Sequence, residues 1–500
     1  MKKTVLLFTL ISILAKIIAF GRELVLSYFF GAGQISDVFL LSMTLPVTIF
    51  GFVAAGVTSG YIPVYQRAKT EENQSSALQF TNQVITFLIL LCLTVILIYF
   101  LFPNQLLRLF ANGFDKETLN MARQFTNFSI WATVFTAIVT VFTGYLQING
   151  QIKITALVSV PLNVGVIITI VVAVLLKDAY ILPIGFLLSS AVQVLFLWCA
   201  CTSAGYKFSL SFQFNSRYMI VFLSSLAMLI LSGSLQQVNV LIDRTLATTV
   251  TVGGLSIFEY GNKINDFVMG LTIIPISAAL FPIMTNVKDD SEALERTITE
   301  GIRLSSIIII PASIVLVVFS EVIVRILYFR GAFDANSVAL TSDIVKFYGV
   351  GLIAFSLREM ILKCFYAVGD VKSPMINSTI GVVCNIVLNF VLLHFMGLGG
   401  LALATSIAAG LCVILFYVSL KKHLKNIHIG SIIIRCGVLF VIAGVLCLGA
   451  FFIYLRLSAI MGSVLVPFII SMICFGVLYF IMIIMTGMIR RDELRMILRK

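Results

Sequence analysis

The 500-residue chain is 60% hydrophobic and only 11% charged, with a mean hydropathy of +1.09. Soluble domains carry about 25% charged residues and about 45–50% apolar ones. The composition therefore excludes a cytosolic enzyme, a nucleic-acid-binding protein and a secreted disulfide-bonded scaffold. The formal net charge of +12 at pH 7 has to be explained within a chain that lies mostly in a bilayer.

Fourteen segments are long and apolar enough to cross a membrane, because a span needs about 20 mostly apolar residues. In chain order they lie near residues 5–29, 36–60, 78–102, 126–148, 155–176, 180–203, 218–242, 255–284, 304–327, 340–366, 374–396, 398–420, 431–455 and 459–487. No polar stretch between them is long enough for a soluble domain. The predicted fold class is an all-α integral membrane protein.

The basic residues of the predicted loops are distributed unevenly between the two sides of the membrane. An even number of spans places both termini on one side. If that side is the cytoplasm, nineteen basic residues lie in inside segments and six in outside segments. Cytoplasmic loops of membrane proteins are enriched in Lys and Arg. The distribution predicts cytoplasmic termini, and it accounts for most of the positive charge without a nucleic-acid partner.

An internal repeat relates the first six spans to the next six. Two sets of residues recur with nearly equal shifts of 222 and 219 positions. The matched residues are Arg22, Gly31 and Asp37 with Arg244, Gly253 and Glu259, and Gly150 and Lys153 with Gly369 and Lys372. An even number of spans per copy makes the repeat parallel, as in many transporters. We therefore predict an N-lobe over residues 1–210, a C-lobe over 211–428, and two extra spans with a basic tail over 429–500.

Charged side chains occur inside the predicted spans, where they are costly unless they face a cavity or one another. They are Lys16, Arg22 and Glu23 in span 1, Asp37 in span 2, Asp243 and Arg244 in span 7, Glu259, Lys263 and Asp266 in span 8, and Lys346, Arg358, Glu359 and Lys363 in span 10. Lys16 is expected to line a cavity or to pair with Asp37 or Asp266. Glu23 is expected to pair elsewhere than with Arg22 or to reach the membrane interface, because adjacent helix residues do not face each other.

The spacing of Glu259, Lys263 and Asp266 places the three side chains on one face of a helix. That face either lines a central cavity or forms a self-neutralised ladder within a helix bundle. Lys16, Arg22 and Lys263 offer fixed positive charge, which suits a phosphate or pyrophosphate group. These residues favour a transporter of an anionic, amphiphilic solute.

Patterns typical of catalysis are missing from the sequence. It contains no Gly-x4-Gly-Lys-Ser/Thr motif, no Ser/His/Asp constellation and only three histidines. The nine cysteines lie in apolar runs without the spacing of a metal site or a disulfide framework. The chain is not expected to be an enzyme or to hold a cofactor.

Several motifs resemble the MurJ (MviN) family of the multidrug/oligosaccharidyl-lipid/polysaccharide exporter superfamily. They are Phe-Gly-Ala-Gly at 30–33 with Ser36-Asp37, Asp243-Arg244-x-Leu-Ala, Arg-Gly-Ala-Phe-Asp at 330–334, the run 353–375, and Gly-Gly-Leu-Ala-Leu-Ala at 399–404. The resemblance covers roughly residues 5–490. It implies two six-helix lobes plus two extra helices that form a groove for a polyprenyl tail. The implied activity is flipping of lipid II, an undecaprenyl-pyrophosphate-linked peptidoglycan precursor, by alternating access in the bacterial cytoplasmic membrane.

The resemblance also assigns site residues. The cavity arginine of the family falls on Arg22, an earlier arginine becomes Lys16, and an acid falls on Asp37. The family's Arg-x-x-Glu of span 8 corresponds to Lys263-Ile-Asn-Asp266. The implied pyrophosphate ligands are thus Lys16, Arg22 and Lys263, with Asp37, Glu259 and Asp266 as the cavity carboxylates.

The chain departs from the family pattern in span 2. Many members carry two arginines after the proline of this span, whereas Phe50 and Gly51 follow Pro46 here. The smaller positive charge leaves open a different polyprenyl-linked glycan, such as a capsule, teichoic-type or O-antigen-like unit. A cation-coupled small-molecule exporter and a scaffold in a cell-wall synthesis complex are the remaining alternatives.

Some family members resemble sodium-coupled transporters. The candidate sodium ligands here are Asp243, Asn385, Asn389 and Thr405, which supply the oxygen atoms that hard cations prefer. The alternative is that the two asparagines only form hydrogen bonds between helices. Coupling to sodium or another ion therefore stays open, and the expected partners are a lipid-linked glycan precursor and membrane lipids, with a monomeric chain.

Overall fold

A computed structural model describes residues 2–422, 424 and 429–488, with side chains considered outside 2–10, 55, 58–59, 227–229, 231–234, 236 and 429–433. Within these residues the chain forms nineteen α-helices and no strand. The helices are α1 (Lys2–Phe30), α2 (Gln34–Glu71), α3 (Gln74–Leu101), α4 (Pro103–Phe110), α5 (Lys116–Ser129), α6 (Ala132–Ile148), α7 (Ile152–Ala156), α8 (Val160–Leu176), α9 (Ile181–Ser203), α10 (Arg217–Thr248), α11 (Gly254–Leu271), α12 (Ile273–Asn286), α13 (Ser291–Val318), α14 (Ser320–Tyr328), α15 (Ala335–Ala367), α16 (Lys372–Met396), α17 (Leu398–Leu420), α18 (Ile429–Met461) and α19 (Leu465–Met485).

The predicted all-α membrane fold is confirmed, but the count of fourteen spans is not reached. Among the described residues, eleven helical segments are long and apolar enough to cross a membrane, and a twelfth is added if the bent pair α5 and α6 is one span. The predicted first and seventh spans lie in α1 and α10, and both helices include residues whose side chains are outside the description. These two helices account for the difference.

Two of the predicted spans contain breaks. Span 4 is built from α5 and α6, which meet at an angle of 45°. Span 8 consists of α11 and α12, which are separated at Thr272. Pro275 explains the second break, because proline has no N–H for the preceding turn and its ring clashes with the carbonyl four residues earlier.

Chain contacts divide the protein into two compact units, Met1–Tyr260 with Arg330–Asp334 and Gly261–Phe329 with Ala335–Lys500. In the first unit, α2 packs against α10, α6, α5 and α3. Its core is rich in aromatic side chains, including Tyr61 stacked on Phe80. This division rests on packing alone, so the predicted lobes at 1–210, 211–428 and 429–500 stay predictions.

The second unit is centred on α15, which packs against α17 and α13. Met360, Cys364 and Phe365 of α15 form its core with Phe416 of α17. The two C-terminal helices α18 and α19 pack together, and α18 also packs against α13.

Candidate functional site

Arg22 and Glu23 of α1 form an ion pair with each other. The expectation that Glu23 would find its partner elsewhere is therefore wrong. Neighbouring Cβ atoms do point in different directions, but the guanidinium is on a stem long enough to turn back to the next residue. Glu23 is buried, and its Oε2 has no hydrogen-bond partner among the described residues.

A second buried ion pair joins α10 to α11. Arg244 Nε donates to Glu259 Oε1 at 2.6 Å, and Arg244 Nη1 donates to Thr48 Oγ1 of α2 at 3.1 Å. Both charged side chains are largely buried. Charge-assisted hydrogen bonds of this kind are about twice as strong as neutral ones, so the pair ties α10 to both neighbouring helices.

Asp37 contacts backbone rather than a cation. Its two carboxylate oxygens accept the N–H groups of Gly253 at 2.9 Å and Ser256 at 2.7 Å. Gly253 immediately precedes α11 and Ser256 lies in its first turn, where N–H groups have no partner within the helix. The carboxylate of α2 thus caps α11, and no ion pair of Asp37 with Lys16, the alternative to cavity lining for Lys16, occurs among the described residues.

Lys16 lies half-buried on α1. No hydrogen bond or ion pair connects its ammonium group to a described residue of the same unit. Of the three predicted phosphate ligands, Lys16 is therefore the one whose charge is uncompensated within its unit.

Lys263 and Asp266 belong to the second unit and lie 3.8 Å apart, from Nζ to Oδ2. Their side chains are 33% and 55% exposed, respectively. Glu259, which the spacing placed on the same helical face, is instead buried against Arg244.

Three of the four candidate sodium ligands come together in the second unit. Asn385 Nδ2 donates to Thr405 Oγ1 at 3.2 Å, and Asn389 Nδ2 donates to Asn385 Oδ1 at 3.1 Å. The first bond joins α16 to α17, as the alternative interpretation requires, whereas the second lies within α16. Asp243 lies in the first unit. No group of three or more acidic, histidine or cysteine side chains suited to a metal occurs in the part of the chain that was described, and the sodium site stays a prediction.

The span 2 positions that lack arginine are closely packed. Phe50 is buried in the core of the first unit. A Cβ added at Gly51 would lie 2.9 Å from the side-chain amide of Gln237. A side chain at residue 51 would therefore require the Gln237 side chain to move.

Sequence reasoning did not include Arg244, Thr48 or Ser256 among the site residues. The internal repeat was the signal that could have found Arg244, because it matches this residue to Arg22. Nothing in the sequence pattern pointed to Thr48 or to the backbone of Ser256, since both act through helix packing.

The long apolar helices, together with ion pairs buried between them, define a multi-span membrane protein with the fold of a transporter. A family model described as lipid II flippase MurJ matches residues 26–477. The chain belongs to this family, as its motifs predicted, and the prediction of a transporter rather than an enzyme is thereby confirmed.

Curated relatives and solved structures agree with this assignment. The probable lipid II flippase MurJ of Thermotoga maritima is 26% identical over 409 residues, covering 81% of this chain and 82% of the relative. That of Vibrio cholerae is 26% identical over 444 residues, covering 85% and 83%. A structure of lipid II flippase MurJ in an inward closed conformation has a TM-score of 0.82 at 21% identity, covering 98% of this chain and all of the other. An inward-facing multidrug resistance MATE family transporter of the MOP superfamily has a TM-score of 0.68 at 16% identity, covering 84% and 97%.

Proposed function

We propose that this chain moves lipid II from the inner to the outer leaflet of the bacterial cytoplasmic membrane by alternating access. The observation that carries the proposal is the family match over residues 26–477, which includes most of the membrane helices. The buried charges support it, because intramembrane charges usually mark a transport path. Both termini are assigned to the cytoplasm on the distribution of basic residues in the predicted loops.

The pyrophosphate of lipid II is assigned to Lys16, Arg22 and Lys263. Lys16 is available for an anion, because its charge is uncompensated within its unit. Arg22 is neutralised by Glu23, so a phosphate oxygen has to replace the Glu23 carboxylate. Lys263 is separated from Asp266 by 3.8 Å, and this partly exposed pair is easier to exchange.

The carboxylates Asp37, Glu259 and Asp266 are assigned positioning roles. Asp37 holds the first turn of α11, and Glu259 holds Arg244. Asp266 is the carboxylate whose cation partner is a predicted phosphate ligand. We further propose a monomeric chain that contacts the cell-wall synthesis complex, with ion coupling through Asp243, Asn385, Asn389 and Thr405 as the candidate energy source.

Complementation tests the function directly. In a bacterium depleted of its resident lipid II flippase, expression of this chain should restore growth and lipid II in the outer leaflet. Arg22→Ala and Lys263→Ala should reduce both to the level of depleted cells while the variants remain in the membrane. Lys69→Ala is the matched control, because Lys69 is exposed and makes no ion pair with a described residue, and it should behave as the parent chain.

Normal transport by both variants would show that the phosphate assignment is wrong. Absence of rescue by the parent chain despite good membrane expression would contradict lipid II as the substrate. The uncharged residues Phe50 and Gly51 favour one second candidate in that event, a flippase for another polyprenyl-linked glycan, because span 2 adds no positive charge. Outer-leaflet assays with lipid-linked capsule or teichoic-type units distinguish the two.

A further inference from the structure

A row of polar side chains follows one face of the first turns of α3. Gln79, Asn82, Gln83 and Thr86 have the spacing of residues on a common helical face, and the last three are buried. Buried polar groups on an apolar helix are costly unless they are hydrogen-bonded. The row therefore requires a partner that supplies donors and acceptors.

The partner is the segment that joins α9 to α10, here called the strap and defined as residues 207–216. Asn82 Nδ2 donates to the carbonyl oxygen of Lys207 and to Ser209 Oγ, both at 3.0 Å. The backbone N–H of Ser211 donates to Thr86 Oγ1 at 3.3 Å. The strap runs without regular secondary structure from 207 to 213, yet it is held along its length.

The end of the strap is held in the same way. Gln79 Nε2 donates to Gln213 Oε1 at 2.8 Å, and Ser216 Oγ donates to Gln83 Oε1 at 2.6 Å. The residues that bond to α3 are thus the odd-numbered ones up to 213. Ser209 and Gln213 bond through their side chains, and alternate side chains of an extended chain point to opposite sides, so residues 208, 210 and 212 face away from α3. Phe214 and Ser216 face α3 again, with the Phe214 ring 6.0 Å from that of Phe87.

The three side chains that face away from α3, at positions 208, 210 and 212, are large and apolar. Phe208, Leu210 and Phe212 are 41%, 65% and 63% exposed, respectively. They are contiguous with the exposed apolar surface of a candidate membrane span, because the Phe208 ring lies 5.7 Å from that of Trp198 on α9. On the same helix, Leu195 is also exposed. The strap extends the lipid-facing surface at the end of α9 where the chain leaves it.

We propose that the strap is an interfacial membrane anchor, in which Phe208, Leu210 and Phe212 insert into the leaflet at the beginning of α3 and the end of α9. Aromatic residues are enriched at membrane interfaces, and lysine there contacts lipid phosphates. Lys207 at the start of the strap is exposed and has the required charge. The α3 row fixes the backbone, and the lipid covers the opposite face. This inference does not depend on which substrate is transported.

Tryptophan quenching in bilayers tests the proposal. Trp131 and Trp198 are the only tryptophans in the sequence, so the full chain with both replaced by phenylalanine is a silent background. Phe212→Trp and Leu210→Trp are introduced separately and reconstituted into lipids brominated on the acyl chains. Asn215→Trp is the matched control, because Asn215 is an exposed strap residue without an apolar side chain. The strap tryptophans should be quenched about twofold or more beyond the control and should be shielded from aqueous acrylamide.

Strong acrylamide quenching of Trp at 210 and 212, without quenching by brominated lipid, would overturn the proposal. That result would be expected if the apolar face served a protein partner. If the phenylalanine background fails to fold, the same comparison is made with the native tryptophans retained, as the difference between each variant and the parent chain. If a variant differed from the parent chain only in its quenching by acrylamide, and not in its quenching by brominated lipid, insertion would again be contradicted.

Discussion

Arg244 and Glu259 illustrate how single charges are accommodated in this protein. Each is largely buried, and the two form an ion pair with each other. Removing one partner of a buried pair is strongly destabilising, because it leaves an uncompensated charge, whereas removing both is much less so. The same argument applies to Asp37, whose oxygens satisfy two backbone N–H groups of α11.

At the residue scale, we expect Arg244→Ala and Glu259→Ala each to destabilise the protein by about 3–5 kcal/mol. The double variant should lose less than the sum of the two, because no lone charge remains buried. The measurement is thermal unfolding of the purified protein. The exposed pair Glu292 and Arg296, with side chains 78% and 77% exposed, is the control and should change the midpoint little. Additive effects of Arg244→Ala and Glu259→Ala would contradict the pairing.

Helix connections show the same repeat that the sequence contains. Gly31 precedes α2 and Gly253 precedes α11, with φ of 62° and 81°. Gly150 and Gly369, the second matched pair, have φ of 73° and 81° before α7 and α16. L-residues rarely adopt this left-handed region, so glycine is the favoured residue at all four turns. Gly31 and Gly253 are closely packed against other backbone atoms, whereas Gly150 and Gly369 are not.

At the element scale, Gly31→Ala and Gly253→Ala should lower the unfolding midpoint more than Gly150→Ala and Gly369→Ala. An added Cβ at Gly31 would lie 2.3 Å from the Ala332 carbonyl oxygen, and one at Gly253 would lie 2.5 Å from that of Ala32. No atom lies within 4 Å of a Cβ added at the control glycines, so only the backbone cost of about 1–2 kcal/mol remains there. Equal shifts in all four variants would show that close packing at the first two turns is unimportant.

The whole molecule is a membrane protein, and the charge of its predicted loops predicts its orientation. The excess of basic residues in the segments assigned to the inside predicts that residue 178 is outside and residue 500 is inside. A phosphatase reporter that is active only outside the cytoplasm should be active when fused after residue 178. A reporter that fluoresces only in the cytoplasm should be bright when fused after residue 500. The reverse pattern would overturn the topology and, with it, the proposed direction of transport.

The intramembrane charges and the family motifs predict Arg22, Lys16 and Lys263 as site residues, and this assignment stays a prediction. The partners of these charges were predicted less well. Glu23 pairs with its neighbour Arg22, and Asp37 with backbone N–H groups, contrary to expectation. The strap was not predicted from the sequence, because its hydrogen-bond partners, the polar side chains of α3, lie more than 120 residues away in the chain.

The sequence by itself determined the membrane environment, the helical class and the family, because hydropathy, span length and local motifs are properties of contiguous residues. It also indicated the repeat, whose glycines occupy corresponding turns. Tertiary structure alone decided which partner compensates each charge and which polar groups bind the strap. Those choices depend on distances between helices far apart in the chain, and a buried polar group bonds to whichever donor or acceptor the packing brings within about 3 Å.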